Sequence, residues 1–457
     1  IKKPIFHIFL SKKNFDILKY VGFLFLGWRI ILFFIAFLGL SGLPNINYYT
    51  KDLFFPDSSL NYLARWANWD GKAYQDIANS GYIPGLTVFF PLFPILIKLL
   101  SFFGISSFYS GMILSNLFTF LSLFFLYKLT LIDFSTKVAK RVLFAFLIFP
   151  TGFYLVTHYN ESLAAFCVIS SFYYARTKRW ILAGLFAGAA GVTRLTGTAA
   201  IIGVLIEYLI LEKENIKGRT LKFMWESKIR RFFVYLLFII FVLNILTSAN
   251  HTIVSGVSLT ILEILKWPFI LLLILLTFSL LKFFVKIINF KKIFNKNFLY
   301  VCFSIFPLLL YLIYQKITFG TFFSFLDNEI IWGKKFSPFW QGPLDSIRYV
   351  ISSPFLISEY SARVHLRIFL FTVALYGLIL SYRKLRLSYT IFYLIALLIP
   401  LSSGTLIDFP RYSLILFPLF IVLGLIENEF IQKLGVIIFI SLLSFLLILF
   451  FNSYFFM

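Results

Sequence analysis

The chain is poor in the residues on which many reactive or cross-linked proteins depend. Its 457 residues include two cysteines, Cys167 and Cys302. Both lie in apolar runs, so no disulfide framework is expected and the redox compartment is not indicated. The four histidines, His7, His158, His251 and His365, are scattered; the one His-x-x-Glu spacing, His158 to Glu161, has no second histidine or paired-carboxylate cluster beside it. No metal site and no cofactor is therefore expected. Charged residues make up only 13% of the chain, and 19 Asp and Glu stand against 42 Lys and Arg. The apolar stretch PIFHIFL at 4–10 is shorter than the apolar region of a secretory signal peptide, so no cleaved leader is expected there.

What is present in quantity is apolar side chain, at 60% of the residues, with 62 Phe among them. Many runs approach the roughly 20 residues that span a bilayer, which makes the chain an all-α polytopic membrane protein rather than a soluble domain. The abundance of Phe beside Ile, Lys and Asn reads as codon bias, of bacterial character, and carries no mechanistic weight. Roughly 11–13 transmembrane helices are predicted, near 20–40, 109–131, 141–157, 161–176, 180–195, 197–211, 232–249, 259–281, 297–318, 366–382, 388–402, 411–427 and 434–455. They form one integral membrane domain over 1–457.

Lys and Arg in short loops stay on the cytoplasmic side, and here they cluster. Lys2, Lys3, Lys12, Lys13 and Lys19 place the N-terminus inside. Further clusters lie at Lys137 to Arg141, Arg176 to Arg179, Lys213 to Arg231, Lys282 to Lys296 and Arg383 to Arg386. Most of the net charge of +23 is thus topogenic, and no nucleic-acid partner is needed to explain it. Parity between clusters puts two large segments, 41–108 and 319–365, on the extracytoplasmic side of a plasma membrane. The tips THYNE (157–161), TRLTG (193–197) and SSGTLIDFPR (402–411) face the same way. The run at 88–103, with Pro91, Pro94 and Lys98, is expected to lie in the interface rather than to span.

The first outer segment holds the polar stretch RWANWDGKAYQDIANSGY at 65–82. Residues Gly71–Asn79 fit a short helix with Tyr74, Ile77 and Ala78 on one face and Lys72, Gln75, Asp76 and Asn79 on the other, ended by Gly81. Asp70 would stand at its mouth, with Trp66 and Trp69 at headgroup depth. The bland alternative is that Asp70 only N-caps the helix and the tryptophans form an aromatic belt. Ala73 stands where a capping box would need Glu.

WANWDGKAYQDIANSGY followed by FFPLFPILIKLL resembles the Trp-Asp region of the PIG-V-like mannosyltransferases, relatives of the second GPI mannosyltransferase. The resemblance continues in order through HYNESLAAF (158–166), GVTRLTG (191–197), FGTFFSFLDNEIIWGKKFSP (319–338) and FPRYSLILFPLF (409–420). The chain departs from the family at Leu195, where Pro is expected, and at Asn328, where Gln is common. The resemblance implies a GT-C-like bundle with interfacial helices in the first outer loop. It also implies a catalytic carboxylate in that loop, Asp70, and a polyprenyl-phosphate sugar donor with a lipid or glycan acceptor.

Transfer with inversion needs a base for the acceptor hydroxyl, a surface for the sugar and positive charge where phosphate leaves. Asp70 is the expected base. Arg194, Arg411 and His158, each at a short outer tip, are the candidate phosphate partners. The ordinary reading of such arginines is a snorkel to headgroups, and of His158 a backbone hydrogen bond. Glu161 either favours its helix N-terminus or orients an arginine. Trp332 and Tyr412 are candidates to meet the sugar, as belt residues also would be placed, and Arg65, Trp69, Tyr74 and Asn160 complete the donor- and acceptor-binding set. The competing class is a lipid or sugar transporter or flippase without transferase chemistry. It usually needs ionisable groups deep in the bilayer or a repeat, and neither is evident.

Overall fold

A computed structural model describes residues 12–42, 61–214, 295–352 and 358–454. The spans expected near 232–249 and 259–281 lie outside the described residues. Among those described, the regular elements are all helices. In chain order the longer ones are α1 (Lys12–Gly42), α2 (Asp70–Ser80), α3 (Leu92–Ser101), α4 (Ser107–Asp133), α5 (Thr136–Ile148), α6 (Glu161–Arg176), α7 (Trp180–Thr193), α8 (Ala199–Glu214), α9 (Lys296–Phe319), α10 (Gln341–Ser352), α11 (Glu359–Lys384), α12 (Leu387–Leu401), α13 (Phe417–Gly424) and α14 (Glu429–Phe451). Starts are marked by local chemistry: Ser106 accepts from the Tyr109 N–H, Ser135 from Val138 and Asn428 from Ile431. Each such cap contributes about 1 kcal/mol.

Six of the described helical segments are long and apolar enough to cross a membrane: α1, α4, Leu195–Glu212, α9, most of α11, and α14. This is a polytopic membrane architecture. The other expected spans among the described residues are shorter. Helix α6 has 16 residues, about 24 Å at 1.5 Å each, against a hydrocarbon core of about 30 Å. It is almost wholly buried, with Glu161 at its N-terminus and Arg176 at its C-terminus, signs that suit the helix dipole. The segment expected at 411–427 is broken into Phe409–Tyr412, a 3-10 turn at Ser413–Ile415, and α13. Pro410 and Pro418 each begin a new helical piece, because proline cannot donate to the preceding turn.

Helix α6 packs between α4 and α7. Small residues set the spacing of the next layer. A Cβ on Gly188 would lie 2.8 Å from the Ser304 carbonyl oxygen, and one on Gly184 would overlap the Tyr300 carbonyl. Glycines four apart thus let α7 meet the backbone of α9 directly, the small-residue contact common between membrane helices. At the chain ends, α1 packs on α14, and the Asn452 amide donates to the Gly39 carbonyl at 3.0 Å.

Candidate active site

The polar stretch forms α2 as its period suggests. Tyr74, Ile77 and Ala78 are buried, the Lys72 and Asp76 side chains pair on the outer face at 2.8 Å, and Gly81 stops the helix with φ +86°. Asp70 is not its cap. It is the first helical residue, and no side-chain cap bond forms at Trp69, which precedes it. Trp69 has φ +63° and ψ −116°, a conformation that belongs to glycine in type II′ turns. The Tyr159 hydroxyl braces this turn: it donates to the Asn68 carbonyl at 2.7 Å and accepts from the Asp70 N–H at 3.2 Å. The Asp70 carboxylate is thereby turned away from the backbone and into a cavity of about 170 Å³. One water needs about 10–15 Å³, so the cavity has room for a larger group.

Five separate parts of the chain meet there. Arg411 Nη1 lies 2.5 Å from Asp70 Oδ2, and its Nη2 lies 2.7 Å from Asp408 Oδ1. Asp408 Oδ2 takes Lys334 Nζ at 2.7 Å, and Lys334 reaches Glu329 at 3.2 Å. Behind them Glu161 Oε1 receives Arg194 Nη1 at 2.8 Å and stands 3.8 Å from Arg411. The Arg194 guanidinium lies 4.1 Å over the Tyr412 ring, and the Asn160 amide ties its tip to the Thr193 carbonyl at 2.7 Å. Asp70 Oδ1 accepts no hydrogen bond from a described residue and is not enclosed.

The charges sustain one another. Burial opposes the charge on Arg411, but Asp70, Asp408 and Glu161 outweigh it and hold its pKa well above the ordinary value. Burial likewise opposes the charge on Lys334, and Asp408, Tyr412 and Glu329 more than reverse the effect. Burial would raise the Asp408 pKa, yet Lys334 and Arg411 hold it well below the usual carboxylate range. All three side chains are therefore charged at neutral pH.

Of the candidates drawn from the sequence, Asp70, Trp69, Tyr74, Asn160, Arg194, Trp332, Arg411 and Tyr412 line this cavity. Glu161 stands behind it as the partner of Arg194. Trp332 packs edge-on against Phe89 and donates its indole N–H to the Gly85 carbonyl at 3.1 Å. Two candidates are corrected. His158 is fully buried between Phe93, Phe108 and Gly111, off the cavity, with Nδ1 3.2 Å from the Phe108 carbonyl. Burial lowers its pKa to about 3, the carbonyl contact working the other way, so it is neutral and no phosphate partner. Arg65 hydrogen-bonds the Phe451 carbonyl and does not line the cavity. Trp66 is no belt residue either: it is buried between the Arg29 guanidinium, 3.9 Å away, and Phe451.

Lys334, Asp408, Glu329, Tyr154 and Tyr159 also line the site and were not singled out from the sequence. Asp408 carries the one local signal, its position three residues before Arg411. Among the described residues no group of three or more His, Cys, Asp or Glu is placed to hold a metal.

The fold and site together define an all-helical polytopic membrane protein with a charged, partly enclosed cavity at one end of its bundle. No family model, curated protein or solved structure matches the chain.

Proposed function

We propose that the chain is a membrane glycosyltransferase that moves a hexose, read as mannose, from a polyprenyl-phosphate donor to a lipid or glycan acceptor on the extracytoplasmic side. The observation that carries this reading is the Asp70 carboxylate in the cavity, one oxygen oriented by Arg411 and the other without a partner, with Arg194 and Lys334 lining the same space. The ordered resemblance to PIG-V-like mannosyltransferases supports it from the sequence side.

In this reading the acceptor hydroxyl gives its proton to Asp70 Oδ1 as its oxygen attacks the anomeric carbon. The bond from that carbon to the phosphate oxygen breaks, and the phosphate keeps the electron pair. The transition state is oxocarbenium-like, by analogy with glycoside hydrolysis. Arg194, Arg411 and Lys334 supply positive charge where the leaving phosphate develops negative charge. The aromatic faces of Trp69, Trp332 and Tyr412 offer the sugar a surface.

The test is incubation of purified protein with polyprenyl-phosphate hexoses labelled in the sugar. Release of polyprenyl phosphate with a labelled product of matching mass is expected. Lipid movement across vesicles without release would point to the flippase instead. Sidedness has its own check. Thr196 is buried and unsuited to labelling, whereas Ser80 is exposed at the end of α2. A Ser80→Cys protein lacking Cys167 and Cys302 is expected to react with an impermeant maleimide in intact cells.

A further inference from the structure

A second hollow lies apart from the charged cavity. It is a groove of about 280 Å³, walled by α11 and α14 and floored by α5 and α13. On α11 it runs from Val373 to Leu380 and on α14 from Ile431 to Phe439, about 10–12 Å at 1.5 Å per residue. Both stretches belong to membrane-crossing segments, so the groove covers most of one leaflet, which is half of a hydrocarbon core of about 30 Å. The leaflet is the one away from Asp70. Phe371, which precedes the groove on α11, packs its ring on Phe409 beside the cavity at 5.6 Å, and the helix continues from there to Arg383 and Lys384 in its last turn.

The groove is open along its length, with Phe144, Tyr376 and Ile431 exposed on its rim. A Cβ on Gly435 would meet no atom within 4 Å, so α14 leaves the space beside it unfilled. The lining is apolar except at one end. There the Gln432 amide and Arg141 Nη1 both donate to the Ile426 carbonyl, the arginine at 3.4 Å. One distant carbonyl satisfies little of a guanidinium with five donors, and no ion pair joins Arg141 to a carboxylate among the described residues. In the turn beside it Glu427 is exposed, and Glu429 pairs with Lys433 at 3.5 Å. Lys137, Arg141, Phe144 and Ile148 follow one another along a single face of α5. That face is cationic at the end of the groove and apolar within it.

We infer that the groove holds one acyl chain of an anionic phospholipid from this leaflet, with the headgroup phosphate at Arg141. A bilayer offers an exposed apolar channel of this depth a hydrocarbon chain, and the arginine fork at the channel's end suits phosphate oxygens. Lys137, exposed one turn away, adds attraction for a lipid of net negative charge. The site does not depend on the transferase reading.

The experiment uses the full chain in phosphatidylcholine vesicles doped with phosphatidylglycerol or phosphatidylcholine that carries a photoreactive diazirine on one acyl chain. Adducts are mapped by peptide mass. The phosphatidylglycerol probe is expected to mark 373–380 and 431–439 several times more often than the exposed α1 face at Phe23 and Leu38, and more often than the phosphatidylcholine probe does. Gly435→Leu, which fills the groove, should lose the groove adducts and keep those on α1. Arg141→Gln should lower the phosphatidylglycerol yield to the phosphatidylcholine level. If Gly435→Leu does not fold, excess unlabelled phosphatidylglycerol serves, and should remove the groove adducts before those on α1. Groove adducts no more frequent than α1 adducts, or unchanged by filling or competition, overturn the site. Equal yields from the two wild-type probes, or no effect of Arg141→Gln, overturn the phosphate assignment. A Gly435→Cys protein lacking Cys167 and Cys302 that forms a chain-to-chain disulfide in membranes would place a second copy in the groove and overturn the lipid.

Discussion

The two ends of α6 carry ion clusters of different construction. At the Arg176 end two arginines meet two carboxylates. Arg176 binds both oxygens of Asp133, and Arg176 and Arg386 both pair with Glu207, which is fully buried and also accepts from the Ser388 hydroxyl. None of the four lines the cavity. At the Glu161 end three cations, Arg194, Arg411 and Lys334, share four carboxylates, Asp70, Glu161, Glu329 and Asp408, around open space. A matched, closed network fixes helices. A network with a carboxylate in excess, and an oxygen without a hydrogen-bond donor, can take on a new partner without dismantling the fold.

The largest effect that tests this contrast is at Asp70. Asp70→Asn keeps the shape, and because Arg411 keeps Asp408 at 2.7 Å and Glu161 at 3.8 Å the drop in Tm should be smaller than that of Glu207→Gln below. Turnover is expected to fall by about two to four orders of magnitude, the usual weight of a general base. The Asp76→Asn protein is the control: its surface pair with Lys72 contributes no more than about 1 kcal/mol, and activity should stay near wild type. An inactive Asp76→Asn protein beside an active Asp70→Asn protein would move the base six residues along the chain.

Glu207→Gln should show the reverse pattern. Removing one partner of a buried ion pair costs about 3–5 kcal/mol, so a marked drop in thermal stability is expected, with turnover per folded molecule preserved. A variant of normal stability and poor turnover would erase the distinction between the two clusters. Arg411→Lys comes next. Lysine keeps the charge but not the fork that joins Asp70 to Asp408, and a lost charge-assisted hydrogen bond of about 1.5–3 kcal/mol implies roughly tenfold or more in kcat/KM. A rise in kcat would mean that Arg411 restrains Asp70 rather than orienting it.

The smallest effect sharpens the boundary of the site. The folded-state pKa of His158 is about 3, below its ordinary 6.5, because burial disfavours the imidazolium. Above 6.5 the group is neutral in both states. As the pH falls through the window from 6.5 towards 3, the unfolded chain takes up a proton that the folded chain refuses, and stability is lost. The Tm of His158→Gln should therefore depend less on pH between 6.5 and 4 than that of wild type, while the pH profile of turnover stays the same in both.

Features carried by short stretches of sequence were legible. The α2 period, its glycine stop, the helix at 92–101 and the tips bearing Arg194 and Arg411 all follow from hydropathy and local chemistry. Long-range partners were not. Lys334 reads as one more loop lysine until the fold brings it to Asp408, seventy-odd positions on, and Tyr159 reads as an ordinary tip residue until its hydroxyl is seen beneath Asp70. His158 misled for the opposite reason. Its place at a polar tip suggested exposure, but the missing side chain of Gly111 leaves a slot into which the imidazole packs, and hydropathy does not register a slot. The unequal helix lengths were hidden as well, since prolines at 410 and 418 break the helix while the run around them stays apolar enough to read as one span.

Trp69 sets two laboratory screens against each other. A tryptophan held at φ +63° is strained by about 1–3 kcal/mol, and glycine would relax it. Random mutagenesis sorted for heat resistance should therefore enrich glycine, and less often asparagine, at position 69. The same library sorted for product should retain the indole, because the strained turn aims the next residue's carboxylate and the ring walls the cavity. The position at which the two pools diverge most would mark the reaction centre for an investigator who had never seen the fold.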